Sequence, residues 1–183
     1  MATEGTASPV KAMRLFLALV PPPELRERLG RLADTAQASC GGRRMPEASL
    51  HLTLAFLGEV EAPEATALAE WVSQQRIPAG QWQLDRWGLF RRPGIVWVGS
   101  QAENSALKKL HTWLWDALDS QGYPGRPARF IPHITLLRRA TCLDTTSLPD
   151  IRLDWTYTQF ELVESVTDSH GAHYSSLAAS IAP

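Results

Sequence analysis

One four-residue pattern occurs twice in this chain, as His51-Leu52-Thr53-Leu54 and again as His133-Ile134-Thr135-Leu136. With five His and thirteen Thr in 183 residues, roughly 0.1 copies of His-apolar-Thr-apolar arise by chance. Two copies, one in each half of the chain, therefore point to a duplicated structural unit. Each lies in an apolar run of strand length. Side chains alternate along a strand, so His and Thr project from one face while Leu or Ile and Leu project from the other. The apolar residues anchor the strand in a core, and the imidazole and hydroxyl face an open cleft. A pseudo-two-fold arrangement of the two strands sets the His-Thr pairs on opposite sides of one substrate.

The rest of the chain alternates between strand and helix signals. Residues 1–12 are small and polar and read as a disordered tail. Met13–Val20 reads as a buried strand, stopped by Pro21-Pro22-Pro23, which open a helix with Leu25, Leu29 and Leu32 at helical spacing. After a Gly-Gly-Arg-Arg turn comes the strand His51–Leu57, then a helix over Ala62–Gln75. Two apolar stretches, Trp82–Phe90 and Ile95–Val98, flank the turn Arg91-Arg92-Pro93-Gly94. A helix over Ala106–Ser120 ends at Gly122, and a loop over Tyr123–Pro132 leads into the strand His133–Leu137. After a polar loop, Tyr157–Val166 and Tyr174–Ala179 read as a hairpin around Gly171. The order is α+β, in one domain over 13–183.

Composition narrows the function classes. The formal net charge of −1 argues against coating long nucleic acid by bulk charge, which rests on neutralising many phosphates. It leaves room for a site that takes one phosphate at a strand end. Fifteen arginines stand against three lysines. That imbalance suits bidentate phosphate contacts, although codon bias produces the same one. Two distant cysteines, Cys40 and Cys142, make no CxxC and no disulfide framework. The apolar run Leu15–Val20 is too short for a membrane span or a signal-peptide core, so the chain reads as soluble and cytoplasmic. Neither GxGxxG nor GxxxxGK[ST] occurs, so no dinucleotide or ATP loop of those kinds is indicated.

The chemistry that two such pairs suit is in-line displacement at phosphorus. One neutral imidazole takes a proton from the attacking oxygen, and one imidazolium gives a proton to the leaving oxygen; an ordinary histidine pKa of about 6.5 makes both states accessible. The hydroxyls of Thr53 and Thr135 are placed to donate to non-bridging oxygens as charge builds. The scheme needs no metal or cofactor, and no Asp, Glu or Cys lies within either motif to complete a metal site.

At these residues the chain resembles the two-histidine (2H) phosphoesterases, closest to the RNA 2′,3′-cyclic phosphodiesterase branch that includes the 2′-5′ RNA ligase-like proteins. The likeness runs from about Met13 through Arg14-Leu15-Phe16-Leu17-Ala18, His51 to Gly58, Pro132 to Arg138, and Gly171, Tyr174 and Leu177. It implies a bilobal fold, each lobe an antiparallel sheet with helices outside and a cleft between them. It also implies that His51 donates a proton to the leaving 3′-oxygen and His133 activates water, giving a 2′-phosphate. The implied ligand is RNA with a 2′,3′-cyclic phosphate end or a small cyclic nucleotide. Two other readings stand beside it: 2′-5′ ligation of such ends, and a nucleotide-binding module without turnover.

The two motifs differ five residues past each His, where Phe56 matches Arg138. Arg138 resembles the family's phosphate clamp, yet strict alternation sets it opposite His133, so a bulge or strand end has to bring it round. Phe16 is a candidate for stacking on a base, with a core position as the competing reading, and Phe90 and Trp97 carry the same ambiguity. Arg43, Arg44, Arg91, Arg92, Arg126 and Arg129 lie in expected loops and are either RNA contacts or solvated surface. His111 reads as a packing residue, and His170 and His173 as solvated.

Overall fold

The computed structural model describes residues 11–142 and 144–183. Residues 1–10 of the expected tail lie outside that range, and Ala12 already belongs to the first strand. Strand β1 (Ala12–Leu19) ends before the three prolines. Helix α1 (Pro23–Cys40) starts with Pro23 in its first turn, where a missing N–H costs nothing. It stops at Gly41, whose φ of 65° is left-handed and whose N–H donates to the Gln37 carbonyl at 2.9 Å. Its buried side chains, Leu25, Leu29, Ala33, Ala36 and Cys40, recur every three or four positions, with Gly30 buried beside Leu29.

Strand β2 (Arg43–Arg44) follows, then β3 (Leu52–Glu61), α2 (Ala62–Gln74), β4 (Gly80–Leu84), β5 (Arg86–Phe90) and β6 (Ile95–Gly99). Helix α3 (Ser105–Ser120) is capped by the Asn104 side chain, which accepts from the Leu107 N–H at 2.9 Å. The remaining strands are β7 (Ile134–Arg138), β8 (Leu153–Tyr157), β9 (Glu161–Asp168) and β10 (Gly171–Ala179).

Every strand pairing is antiparallel. The larger sheet runs β10-β9-β1-β3-β7-β6-β5, with β2 also on β7, and β4 pairs β8 in a second sheet. The α+β, bilobal organisation is thus present, with one refinement. The two lobes, β10-β9-β1-β3 and β7-β6-β5, meet in the larger sheet at a single pair, Leu52 with Ile134. Both residues have no exposed surface, and each burial stabilises by about 1.5–3 kcal/mol. Helix α2 packs behind the first lobe and α1 behind β7 of the second. One apolar core runs through both lobes.

Two readings of the sequence are corrected. The stretch Trp82–Phe90 is not one element but two strands in different sheets. It breaks at Asp85, whose N–H donates to the Gly99 carbonyl and whose carboxylate accepts from the Gln101 N–H. The polar loop before Tyr157 contains β8, in which Leu153, Trp155 and Tyr157 are buried and Asp154 and Thr156 are exposed. That is a period-two signal short enough to pass for loop.

Candidate active site

Leu52 and Ile134 point into the core at the junction of β3 and β7, so the residues on either side of them point the other way. His51, Thr53, His133 and Thr135 therefore share the open face of the sheet. Strands β3 and β7 are antiparallel and meet at that one pair, from which they run in opposite directions. Diagonal neighbours across such a pair stand about 7–8 Å apart, room for one phosphate between two imidazoles.

Beyond each motif, a bulge resets the alternation. On β3, Ala18 of β1 pairs with Thr53 and Leu17 pairs with Ala55, which leaves Leu54 unpaired. On β7, Trp97 of β6 pairs with Thr135 and Val96 with Leu137, which leaves Leu136 unpaired. The unpaired residue is the fourth of each motif. One extra residue flips every side chain after it to the other face, and Leu54 with Ala55, like Leu136 with Leu137, are buried in succession. The fifth residue past each His thus returns to the face of the His. The bulge that Arg138 required is present at Leu136, and its counterpart at Leu54 delivers Phe56.

The imidazoles are held alike. His51 Nδ1 donates to the Ser49 carbonyl and His133 Nδ1 to the Ile131 carbonyl, each at 2.7 Å and each two residues upstream. A carbonyl can only accept, so Nδ1 carries the hydrogen and Nε2 is left to titrate. The Thr53 hydroxyl lies 3.0 Å from His51 Nε2. Aromatic rings fix both orientations. Phe16 and Tyr174 stand 4.7 and 5.3 Å from the His51 ring, and Phe90 and Trp97 stand 5.0 and 5.8 Å from that of His133.

Burial, outweighing the Ser49 hydrogen bond, pushes His51 down to about 4, and the nearby His133 and Arg138 push the same way. His133 is lowered too, by burial first and by Arg138 as well, against the Ile131 hydrogen bond. The Arg138 charge thus reaches both imidazoles.

A cavity of about 890 Å³ opens on this face, walled by His51, Thr53, Phe16, Phe56, Tyr174 and Arg138 among others. His133 and Thr135, at the start of β7, are not in its wall; a second cavity of about 530 Å³ opens beside Trp97, Ile131 and Pro132. The larger cavity is cationic. Arg14, Arg43, Arg44, Arg138 and Arg139 line it against one carboxylate, Asp168, which His173 engages at 3.1 Å. Arg44 is neutralised by Asp34 and Glu47. Among the described residues no carboxylate pairs with Arg14, Arg43, Arg138 or Arg139.

Of the other candidates, Phe16 is only 4% exposed and packs on His51 and Tyr174, which leaves it supporting the imidazole with little surface for a base. Arg43 and Arg44 reach the cavity, Arg129 reaches the second one, and Arg126 is tied to Asp116 and Asp119. His111 is buried and stacked on Phe130 at 3.9 Å, a packing residue as expected. His170, expected to be solvated, is exposed but also lines the cavity.

Sequence reading missed Arg14 and Arg139, and it gave Phe56 no role. Arg14 alternates with the buried Leu15, which is the signal that would have placed it beside Phe16. Among the described residues no three of His, Cys, Asp and Glu are grouped to hold a metal ion, and no helix is long and apolar enough to cross a membrane.

Comparison with known proteins agrees with this geometry. A family model described as LigT like phosphoesterase matches residues 19–97. The RNA 2′,3′-cyclic phosphodiesterase of Escherichia coli (strain K12) is 35% identical over 154 residues, covering 83% of this chain and 86% of that protein. The enzyme of that name from Thermus thermophilus is 30% identical over 175 residues, covering 90% and 88%. The crystal structure of E. coli LigT complexed with 3′-AMP superposes with a TM-score of 0.81 at 32% identity, over 92% of this chain and 97% of that one. Likeness of this extent, around a doubled His-x-Thr face, shows that the chain belongs to the LigT-like 2H phosphoesterases, in the branch of the RNA 2′,3′-cyclic phosphodiesterases.

Proposed function

We propose that this chain, acting as one bilobal domain over residues 13–183, opens the 2′,3′-cyclic phosphodiester at the end of an RNA strand and leaves a 2′-phosphomonoester. The observation that carries the reading is the matched pair of imidazoles. Both have Nδ1 spent on a carbonyl, which leaves Nε2 to titrate, in His51 beside the Thr53 hydroxyl, and the Leu136 bulge brings the Arg138 guanidinium to the same face.

In this scheme water attacks phosphorus while His133 Nε2 takes its proton. The bond from phosphorus to the 3′-oxygen breaks, and His51 Nε2 delivers a proton to that oxygen. The role of each histidine follows the family resemblance. Arg138, Thr53 and Thr135 supply donors to the non-bridging oxygens, where charge is greatest in the transition state. Protein side chains provide every group the scheme uses.

The electrostatics add a condition. Burial holds His51 down at about 4, so its imidazole is neutral at pH 7. A phosphodiester anion offsets the Arg138 charge and favours imidazolium, so the acid gains its proton as substrate binds.

The test is turnover of a short RNA ending in a 2′,3′-cyclic phosphate, in EDTA, with the product read by phosphorus NMR. A 2′-phosphate is expected. A 3′-phosphate, or activity only on adding a divalent ion, contradicts the scheme.

A further inference from the structure

A cyclic phosphodiester carries one negative charge, and the large cavity holds more cation than that charge needs. Four of its guanidinium groups have no carboxylate partner among the described residues. Arg138 matches the cyclic phosphate, and Arg14 lies over the Phe56 ring, 4.7 Å from its centroid. Arg43 and Arg139 are the surplus, and both are exposed. Their placement is unfavourable in the protein alone. Arg43 of β2 stands directly opposite Arg138 of β7, and like charges across a strand pair destabilise it. Arg139, just past the end of β7, has a φ of 56° and is the one non-glycine residue of positive φ among the described residues. That turn breaks strand alternation, so the successive residues Arg138 and Arg139 both line the cavity. Gly94 clasps the turn: its carbonyl accepts from the Ala140 N–H at 2.9 Å, and a Cβ there would stand 2.5 Å from the Ala140 carbonyl oxygen. Charge repulsion and backbone strain held at one spot point to a ligand that offsets them.

We infer that Arg43 and Arg139 form a second anion site, which takes the phosphodiester on the 5′ side of the terminal nucleotide while Arg138 takes the cyclic phosphate. The terminal ribose carries the cyclic phosphate on its 2′ and 3′ oxygens and the next phosphate on its 5′ oxygen. A strand end therefore brings two anions into one cavity, which at about 890 Å³ is large enough for a nucleotide. Guanidinium groups suit bidentate phosphate contacts, and backbone contacts read no sequence. The site thus accepts any RNA end and prefers a strand to a lone nucleoside cyclic phosphate. This inference rests on the cyclic-phosphodiesterase reading and names how that site recognises the strand behind the reacting group.

The experiment compares kcat/KM for two dinucleotides that end in adenosine 2′,3′-cyclic phosphate and carry a 2′-O-methyl upstream adenosine. One has the natural phosphodiester linkage and the other a neutral methylphosphonate, so their ratio reads the upstream charge alone. Wild type should favour the anionic linkage by roughly tenfold, the low end for a charge-assisted hydrogen bond because both guanidinium groups are exposed. Arg43→Gln should lower the ratio several-fold, as should Arg139→Gly, in which glycine accepts the left-handed turn. The double variant should bring it to about one, and Arg43→Lys should keep much of it. Arg138→Gln should slow both substrates alike and leave the ratio standing. A wild-type ratio near one, a ratio unchanged in the double variant, or one that Arg138→Gln abolishes overturns the second site. Wild type inert on both substrates overturns instead the reading beneath it, so the two failures are distinguishable.

Discussion

Replacing Arg138 by Gln removes one charge that acts on three groups at once. In the structure Arg138 has no carboxylate partner among the described residues, so its guanidinium is available to the substrate. A charge-assisted hydrogen bond contributes about 1.5–3 kcal/mol, which sets the expected loss in kcat/KM at roughly ten- to 150-fold. The same substitution acts on the imidazoles. A neighbouring cation disfavours imidazolium, and Arg138 lowers both His51 and His133. Its removal should therefore raise both, so that each ring holds its proton to higher pH than in wild type. The assay pairs kcat/KM on adenosine 2′,3′-cyclic phosphate across pH 4–9 with NMR titration of the ring protons. Arg138→Lys separates the contributions, keeping the charge and losing the planar fork; its histidines should titrate near wild type while much of the rate loss remains. A loss under threefold in Arg138→Gln, or histidines that titrate lower than in wild type, would refute the placement of Arg138 over the phosphate.

Other consequences follow from the same geometry. Because an anionic substrate favours imidazolium, the alkaline limb of kcat should lie at higher pH than that of kcat/KM; coincident limbs would show that His51 is not protonated through binding. His51, with a folded pKa pushed down to about 4 against about 6.5 unfolded, binds more protons when unfolded. Its contribution to stability is full above pH 6.5 and lost as pH falls toward 4, by roughly 3 kcal/mol in all. His111, also lowered to about 4 by burial, with Nε2 buried and unpartnered, acts in the same window. The Tm of His111→Phe should accordingly drop less than that of wild type between pH 7 and pH 5. Ile134→Ala removes one side of the single pair joining the lobes and should cost about 2–5 kcal/mol in urea unfolding. A cost below 1 kcal/mol would show that the junction does not rest on that side chain.

The doubled motif made the shared face of the candidate site legible because strand alternation is a local rule: His51, Thr53, His133 and Thr135 needed nothing beyond their own spacing. Arg138 was legible only as a conflict, a residue on the wrong face unless a bulge intervened. The bulge at Leu136 is written in the register with β6, and pairing partners far along the chain are not in the local pattern. Phe56 escaped for the same reason, since its turn to the cleft depends on the extra residue at Leu54 against β1. Phe16 was ambiguous between core and stacking because an apolar ring on a strand satisfies both; the structure packs it on His51. The short strands β4, β5 and β8 blurred because five residues carry too few alternations to resolve ends, and only tertiary pairing separates β4 from β5.

The central claim is that His51 and His133 are the acid and base of one displacement, and single-turnover rates test it most directly. Wild type, His51→Ala and His133→Ala would be compared in EDTA at saturating RNA ending in a 2′,3′-cyclic phosphate. Each positioned acid or base contributes about 10²–10⁴-fold, so both variants should fall by at least a hundredfold while still binding the RNA end. Either variant turning over within tenfold of wild type would contradict the two-histidine mechanism.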